Sequence, residues 1–190
     1  FRESFLGSSS NPKKVILETW GLKTEKIRQA RCACLQAGES TSVMNLVISP
    51  FNNYDLPFFG ADFVTLPNGH LIALDLQPVL KDDIIHTQYF LGKLECMHSN
   101  WQSKLPSGGD IPLAARQYFS PGFLWSRIPL GEEGDKLISE VIKPAFHDYL
   151  NFFLDLVNNA TRISPERSLQ LLNGQKKYMR YRAEKDPARG

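Results

Sequence analysis

From Val15 to Val79 the chain passes through five short runs rich in β-branched and aromatic residues, and no connection between them is long enough to carry a crossover. The runs are Val15 to Trp20, Lys26 to Leu35, Ser42 to Ser49, Phe58 to Leu66 and His70 to Val79, each bounded by turn-forming residues. A parallel pair needs a dozen or more linking residues, so these neighbours pair antiparallel, as a meander. Residues 7 to 14, with three serines, an asparagine and a proline, read as a loop ahead of it. From Lys81 the apolar period lengthens: Ile84, Ile85, Tyr89, Phe90, Leu94, Met97 and Trp101 fall at helical spacing until Ser103 to Asp110 breaks the pattern. Asp135 to Asn158 carries the widest apolar stripe, with Pro144 predicting a kink. Ser164-Pro165-Glu166 opens a last helix with a capping residue, a proline at the first turn and an acid. Strands first and helices later predict an α+β fold in which helices cover a mostly antiparallel sheet.

One turn in that meander sets a register. Asn68-Gly69 is the strongest short signal for a two-residue hairpin, and with those two as the loop every cross-strand pair from Gly60 to Gln77 follows. Ala61, Phe63, Thr65, Ile72, Leu74 and Leu76 then share one face, which needs an apolar cover. The other face brings Asp62 directly opposite Asp75, among Gly60 and Ala73. Facing carboxylates repel, so either one is protonated, with its pKa raised by burial and by its neighbour, or a basic or backbone partner neutralises it. An acid held neutral near pH 7 is what donating a proton to a buried substrate requires, and the small neighbours leave room for a flat ligand. Two blander arrangements stay open: one Asp at a solvated sheet edge, or a loop longer by one residue that separates the pair.

Other chemistries lack their motifs. There is no Walker A loop, no GxGxxG and no GxSxG, and Ser107-Gly108-Gly109-Asp110 is a turn rather than a phosphate loop. His70, His86, His98 and His147 show no metal-ligand spacing and read as surface or satisfied core residues. Cys32, Cys34 and Cys96 cannot all pair, and C-x-C is neither a redox motif nor half a zinc site, which favours a reducing compartment. No run approaches a membrane span, so a soluble protein is expected. The net charge of +2 does not announce a nucleic-acid binder. It conceals a segregation: residues 161 to 190 hold eight basic side chains against three acids, with Lys176, Lys177, Arg180 and Arg182 placed to meet an acidic partner.

Phe58-Phe59-Gly60-Ala61-Asp62-Phe63-Val64 followed by Leu74-Asp75-Leu76-Gln77-Pro78 resembles the central hairpin of the ferredoxin-dependent bilin reductases. Asn45-Leu46-Val47-Ile48-Ser49-Pro50 with Asp55-Leu56-Pro57 resembles the strand entering that hairpin, and Lys185-Asp186-Pro187-Ala188-Arg189-Gly190 the family's late Asp-Pro-x-Arg-Gly motif. Phe119-Ser120 and Arg127 fit the segment between. The resemblance implies one domain over residues 1 to 190, continued by a further C-terminal segment: an α/β/α sandwich holding biliverdin IXα between an antiparallel sheet and the C-terminal helices. It implies no metal and no flavin, single electrons from reduced ferredoxin, a bilin radical intermediate and protons from the protein. By resemblance Asp62 is the central proton donor and Asp186 a second acid. Asn45 replaces the His of phycocyanobilin-forming relatives and orients the substrate, while Ser120 and Arg127 hold a propionate. Asp75 is a structural or co-titrating neighbour, and the basic residues at 176, 177, 180 and 182 dock ferredoxin. The expected reaction is two-electron reduction of biliverdin at the C15–C16 methine bridge to 15,16-dihydrobiliverdin, in phycoerythrobilin synthesis. A four-electron reductase of the same family and a bilin carrier without turnover are the alternatives. A cytoplasmic, monomeric cyanobacterial protein is implied, with the next bilin reductase as a possible recipient of product and with no membrane or nucleic-acid partner.

Overall fold

A computed structural model describes residues 2–6 and 13–185. Seven strands form one antiparallel sheet in chain order: β1 (Arg2–Leu6), β2 (Lys13–Leu22), β3 (Ile27–Ala37), β4 (Thr41–Pro50), β5 (Phe58–Leu66), β6 (Gly69–Gln77) and β7 (Leu124–Ile128). The meander is as the short connections require. Lys13 and Lys14 belong to β2 rather than to the loop expected over 7 to 14, the rest of which lies outside the described residues. Two strands had no sequence signal: β1, and β7, whose five residues sit between Pro121-Gly122 and Pro129 and are defined by pairing with β6.

The helices are α1 (Ile84–Thr87), α2 (Leu91–Gln102), α3 (Leu113–Arg116), α4 (Glu132–Leu137), α5 (Lys143–Asn159) and α6 (Pro165–Lys185). The single helix expected from Lys81 is two, because the chain breaks at Gln88–Phe90. Of its apolar positions Phe90 and Leu94 are buried, whereas Ile84, Ile85 and Tyr89 face solvent. The kink expected at Pro144 is a π-helical turn over Ile138–Ile142 that joins α4 to α5. Proline has no N–H to give the carbonyl four residues back, and a widened turn accommodates the loss. Ser164 caps α6 as expected, accepting the Arg167 N–H at 3.2 Å.

The apolar face of β5 and β6 is covered by α5, whose buried positions Ala145, Tyr149, Phe152, Phe153 and Val157 recur at helical spacing. Phe153 and Phe146 pack on Phe59 with ring centroids 5.6 and 6.1 Å apart, and Phe146 also meets Phe63 at 5.7 Å. Phe59 and Phe153 are fully buried, each contributing about 1.5–3 kcal/mol, and the partly buried Phe63 and Phe146 add to them, so this contact is the core of the fold. Lys26 reaches across from the start of β3 and donates to three carbonyls at the end of α5, Val157, Asn158 and Ala160, at 2.8–2.9 Å. A cation there satisfies the orphan carbonyls and the negative helix end together.

On the opposite face α6 makes the third layer, and polar side chains hold it. The Arg167 guanidinium binds Asp55 at 2.9 Å and Asp83 at 2.7 Å, Asn52 donates to the Ser168 hydroxyl at 2.7 Å, and Tyr178 stacks on Phe58 at 5.1 Å and donates to Gln77. Gly174 lets the helix come this close: a Cβ there would lie 2.4 Å from the Val79 carbonyl oxygen. The expected α/β/α sandwich is thus the observed one. Gly174→Ala gains about 1 kcal/mol of helix propensity but pushes α6 off backbone that cannot yield, for an overpacking cost of about 1–3 kcal/mol. We expect a net loss of about 1 kcal/mol, read as a drop of about 2–4 °C in the thermal midpoint; an unchanged or raised midpoint contradicts the close packing.

Candidate active site

The hairpin register differs from the one expected at Asn68-Gly69. The turn residues are Pro67 and Asn68, with Leu66 paired to Gly69, so Asp62 faces Ala73 and Asp75 faces Gly60. An Asn-Gly loop of the favoured type needs positive φ at both residues, and no described residue other than glycine has one. Pro67 instead presets the second turn position and Gly69, at φ 142°, takes the fourth. A Cβ on Gly69 would also stand 2.7 Å from the Ile128 carbonyl oxygen. The shift is by two residues, so no side chain changes face. Asp62 and Asp75 remain on one face but diagonally, with Gly60 and Ala73 at the other two corners.

That face forms one wall of a cavity of about 210 Å³ lined by Gly60, Asp62, Ala73, Asp75 and Gln77, by Tyr118, Phe119 and Phe123 from the α3–β7 connection, and by Tyr178, Tyr181 and Arg182 of α6. Rings stack along its sides: Phe119 on Phe123 at 4.0 Å and 9°, Tyr118 on Tyr181 at 4.0 Å and 20°. Asp62 is half-buried and accepts a hydrogen bond from the Asn45 amide of β4, its direct cross-strand neighbour. Tyr178 is buried, and that burial pushes its phenol up to about 12, so it stays a neutral donor to Gln77.

Asp75 is 1% exposed. Burial pushes its carboxyl up to about 7 against the Ser120 hydroxyl, the Ser120 and Leu76 N–H groups and the charge of Lys81, all of which favour the anion. The Ser120 N–H lies 2.9 Å from Asp75 Oδ2 and its hydroxyl is on Oδ1. Ser120 Oγ in turn accepts the Gly122 N–H at 2.9 Å, which leaves its own hydrogen for the carboxylate. Tyr149 of α5 donates to the Gly122 carbonyl at 2.9 Å, so the buried apolar layer fixes the loop that fixes Asp75.

The other expected site residues separate. Ser120 is buried and engaged with Asp75 rather than presented to a ligand carboxylate. Arg127 is exposed on β7 and lines a different cleft with Leu66, Asn68 and His70, so the two do not converge on one propionate. Lys176, Lys177 and Arg180 are exposed together along α6 and line a cleft with Tyr118 and Tyr181. Arg182 turns inward: it lines the Asp62 cavity, its guanidinium 5.9 Å from the Tyr178 ring centroid. Asp186 and the rest of the Asp-Pro-x-Arg-Gly motif lie outside the described residues.

Sequence patterns gave no notice of Gln77, Tyr118, Tyr178 and Tyr181, because the last three reach the site from segments far from the hairpin. Nor did they show that His86 is bound in a polar cluster. It accepts the Val79 N–H at Nε2 (3.1 Å) and donates from Nδ1 to Asp55, which shares Arg167 with Asp83. Burial raises the Asp55 carboxyl, but His86 and Arg167 outweigh it and hold it below its ordinary range, while the Arg167 hydrogen bonds hold Asp83 at about 2.

A larger cavity, about 630 Å³, lies on the opposite face between the sheet and α5, lined by Cys34, Met44, Phe63, Ile72, Ile142 and Phe146 among others. Glu18 and His70 are among its other lining residues, whereas Asp62 and Asp75 line the smaller cavity.

The family model for ferredoxin-dependent bilin reductases matches residues 2–190. The chain belongs to this family of oxidoreductases. It is 82% identical to phycoerythrobilin:ferredoxin oxidoreductase of Prochlorococcus marinus strain NATL2A, over the whole of this chain and 74% of that protein. It is 60% identical to the protein of the same name from Synechococcus sp. strain RCC307, over 97% of this chain and 70% of that one. The crystal structure of phytochromobilin synthase from tomato in complex with biliverdin superposes with a TM-score of 0.85 at 25% identity, covering 98% of this chain and 65% of the tomato chain. Among the described residues no helix is long and apolar enough to cross a membrane.

One consequence for stability follows from Asp75. Its folded-state pKa of about 7 lies above the unfolded value of about 3.9. Between the two the folded chain holds a proton the unfolded chain has lost, so this group's contribution is full below about pH 4 and lost by about pH 7. Denaturant midpoints of the parent should therefore fall across that window relative to those of Asp75→Asn; parallel curves contradict it.

Proposed function

We propose that this chain reduces a linear tetrapyrrole in the Asp62 cavity, taking electrons one at a time from reduced ferredoxin and yielding phycoerythrobilin. The observation that carries the proposal is the placement of Asp62, with Asn45 on one carboxylate oxygen, in a cavity floored by Gly60 and Ala73 and flanked by stacked aromatic rings. The names of the 82% and 60% identical relatives direct the choice of product. They favour phycoerythrobilin over the 15,16-dihydrobiliverdin expected from the hairpin wording.

The chemistry asked of the protein is modest. An electron added to a conjugated bilin raises its basicity, and a positioned acid then delivers a proton to carbon. With the Asn45 amide on Oδ1, Asp62 keeps Oδ2 to carry that proton, and Asn45 cannot itself serve as an acid. The aromatic walls bind a flat chromophore by offset stacking, and Arg182 offers a guanidinium fork to a propionate at the cavity edge. Ligand pockets commonly span about 300–1,000 Å³, so a volume of about 210 Å³ takes only part of the chromophore. The remainder extends into the adjoining cleft that shares Tyr118 and Tyr178 and reaches about 730 Å³. Ferredoxin, an acidic donor, meets the exposed Lys176, Lys177 and Arg180. The Tyr118–Tyr181 stack lines both this cleft and the cavity, so electrons have a short path in. Cytoplasmic, monomeric action and hand-over of bilin between reductases fit the same reading.

A second reading, two-electron reduction of biliverdin at C15–C16, draws on the Asn45–Asp62 pair, which the hairpin resemblance ties to that bridge. Anaerobic incubation with reduced ferredoxin and either biliverdin or 15,16-dihydrobiliverdin separates the possibilities by product absorption. Phycoerythrobilin from the dihydro substrate is the expected result. Accumulation of 15,16-dihydrobiliverdin from biliverdin, with the dihydro substrate left untouched, supports the second reading instead, and a bound but unchanged pigment in both reactions overturns reductase function in favour of a carrier.

A further inference from the structure

Resting on the reductase reading, we propose that Asp75 and Ser120 form an internal proton store that recharges Asp62 within a turnover. A two-electron reduction consumes two protons, one for each electron, and a single carboxyl that has given up its proton has to be refilled before it can give another. Besides Asp62, the described residues lining the cavity include one more carboxyl, Asp75, together with three phenols, an amide and a guanidinium. Phenols and a guanidinium are poor proton donors near neutrality.

The layout suits the transfer. Asp62 and Asp75 stand at opposite corners of a four-residue patch of the β5–β6 hairpin, and the other two corners are Gly60 and Ala73. No side chain larger than a methyl group therefore stands between the two carboxyls. Diagonal neighbours on an antiparallel pair are about 7–8 Å apart, a gap that one water or a pyrrole N–H of the ligand spans. When Asp62 protonates the bilin, its O–H bond breaks and a C–H bond forms. Asp75 then passes its proton across the diagonal to the Asp62 carboxylate and is left as the anion. The electrons come from the external donor, and neither aspartate changes oxidation state.

Ser120 makes the anionic form tolerable at a position that is 1% exposed. Its N–H and its hydroxyl address the two Asp75 oxygens separately, and the Gly122 N–H occupies the hydroxyl oxygen so that its hydrogen must point at the carboxylate. Asp75 is thereby supported both as acid and as carboxylate, and its value of about 7 allows it to be reloaded from neutral solution. The titratable and charged groups around it are Asp62 on β5, Lys81 beyond β6, Tyr149 on α5, and Tyr178 and Arg182 on α6. Of these, Lys81 favours the anion and burial opposes it.

The test is single-turnover kinetics of the full chain with bound bilin and a photoreduced one-electron donor, recorded across the neutral pH range for the parent, Asp75→Asn and Ser120→Ala. Asp75→Asn should bind bilin within about 2-fold of the parent and form the first radical at the parental rate. Loss of general-acid assistance is worth about 10²–10⁴-fold; because slower resupply through water remains, radical decay should slow by on the order of 10-fold and lose its dependence on pH near neutrality. Ser120→Ala keeps the acid but removes a donor to its anion, so the midpoint of that pH dependence should move up. A parental decay rate and pH profile in Asp75→Asn overturns the proposal, as does an unmoved midpoint in Ser120→Ala if Asp75→Asn does not fold. A parent that reduces no bilin overturns the reductase reading itself, and a difference spectrum tracking the protonated carboxyl stretch of Asp75 tells the two failures apart.

Discussion

A β-strand sends its side chains alternately to the two faces of a sheet, and the β5–β6 hairpin uses that alternation to keep apolar residues on one side and carboxyls on the other. Phe59, Ala61, Ile72, Leu74 and Leu76 are buried against α5. Asp62 and Asp75 point the opposite way, into the cavity beneath α6. Burial of the first face is strong enough to fix the register, and a fixed register carries the second face with it. The acids are thus positioned by packing they take no part in.

The two helical layers do different work. α5 is anchored by fully buried aromatic and aliphatic side chains and by Lys26 on its terminal carbonyls. α6 is attached by Arg167 to Asp55 and Asp83 at its start, by the close approach of Gly174 to Val79 in its middle, and by Tyr178 to Gln77 near its end. Those attachments are specific rather than extensive. They set the depth of the cavity, and they leave the outward side of the helix free to carry Lys176, Lys177 and Arg180. Tyr149 links the layers, since its hydroxyl holds the Gly122 carbonyl of the loop that delivers Ser120 to Asp75.

Much of this was legible in the chain. Short connections between strand-like runs required a meander, and the period change at Lys81 separated sheet from helices. The face carrying Asp62 and Asp75 follows from the alternation even though the turn lies one residue earlier than Asn68-Gly69 and the register shifts by two, because an even shift preserves the side of every residue. The turn itself failed for a local reason: Asn-Gly competes with Pro-Asn for the loop, and only the backbone angles decide. β7 was hidden because five residues flanked by prolines become a strand only when a partner edge is present. The aromatic wall was hidden because Tyr118, Tyr178 and Tyr181 meet through tertiary packing that no spacing encodes. Ser120 was noticed but given the wrong neighbour, since pairing a hydroxyl on one segment with a carboxyl on another needs the fold itself.

The proposed reduction depends on Asp62 delivering a proton to the reduced bilin. The direct measurement is freeze-quench electron paramagnetic resonance of Asp62→Asn, loaded with bilin and given one-electron reductant, against the parent. General-acid assistance is worth about 10²–10⁴-fold, so the radical should form at the parental rate and then persist on the order of 100 times longer in the variant. A radical that decays at the parental rate to the same product contradicts the assignment.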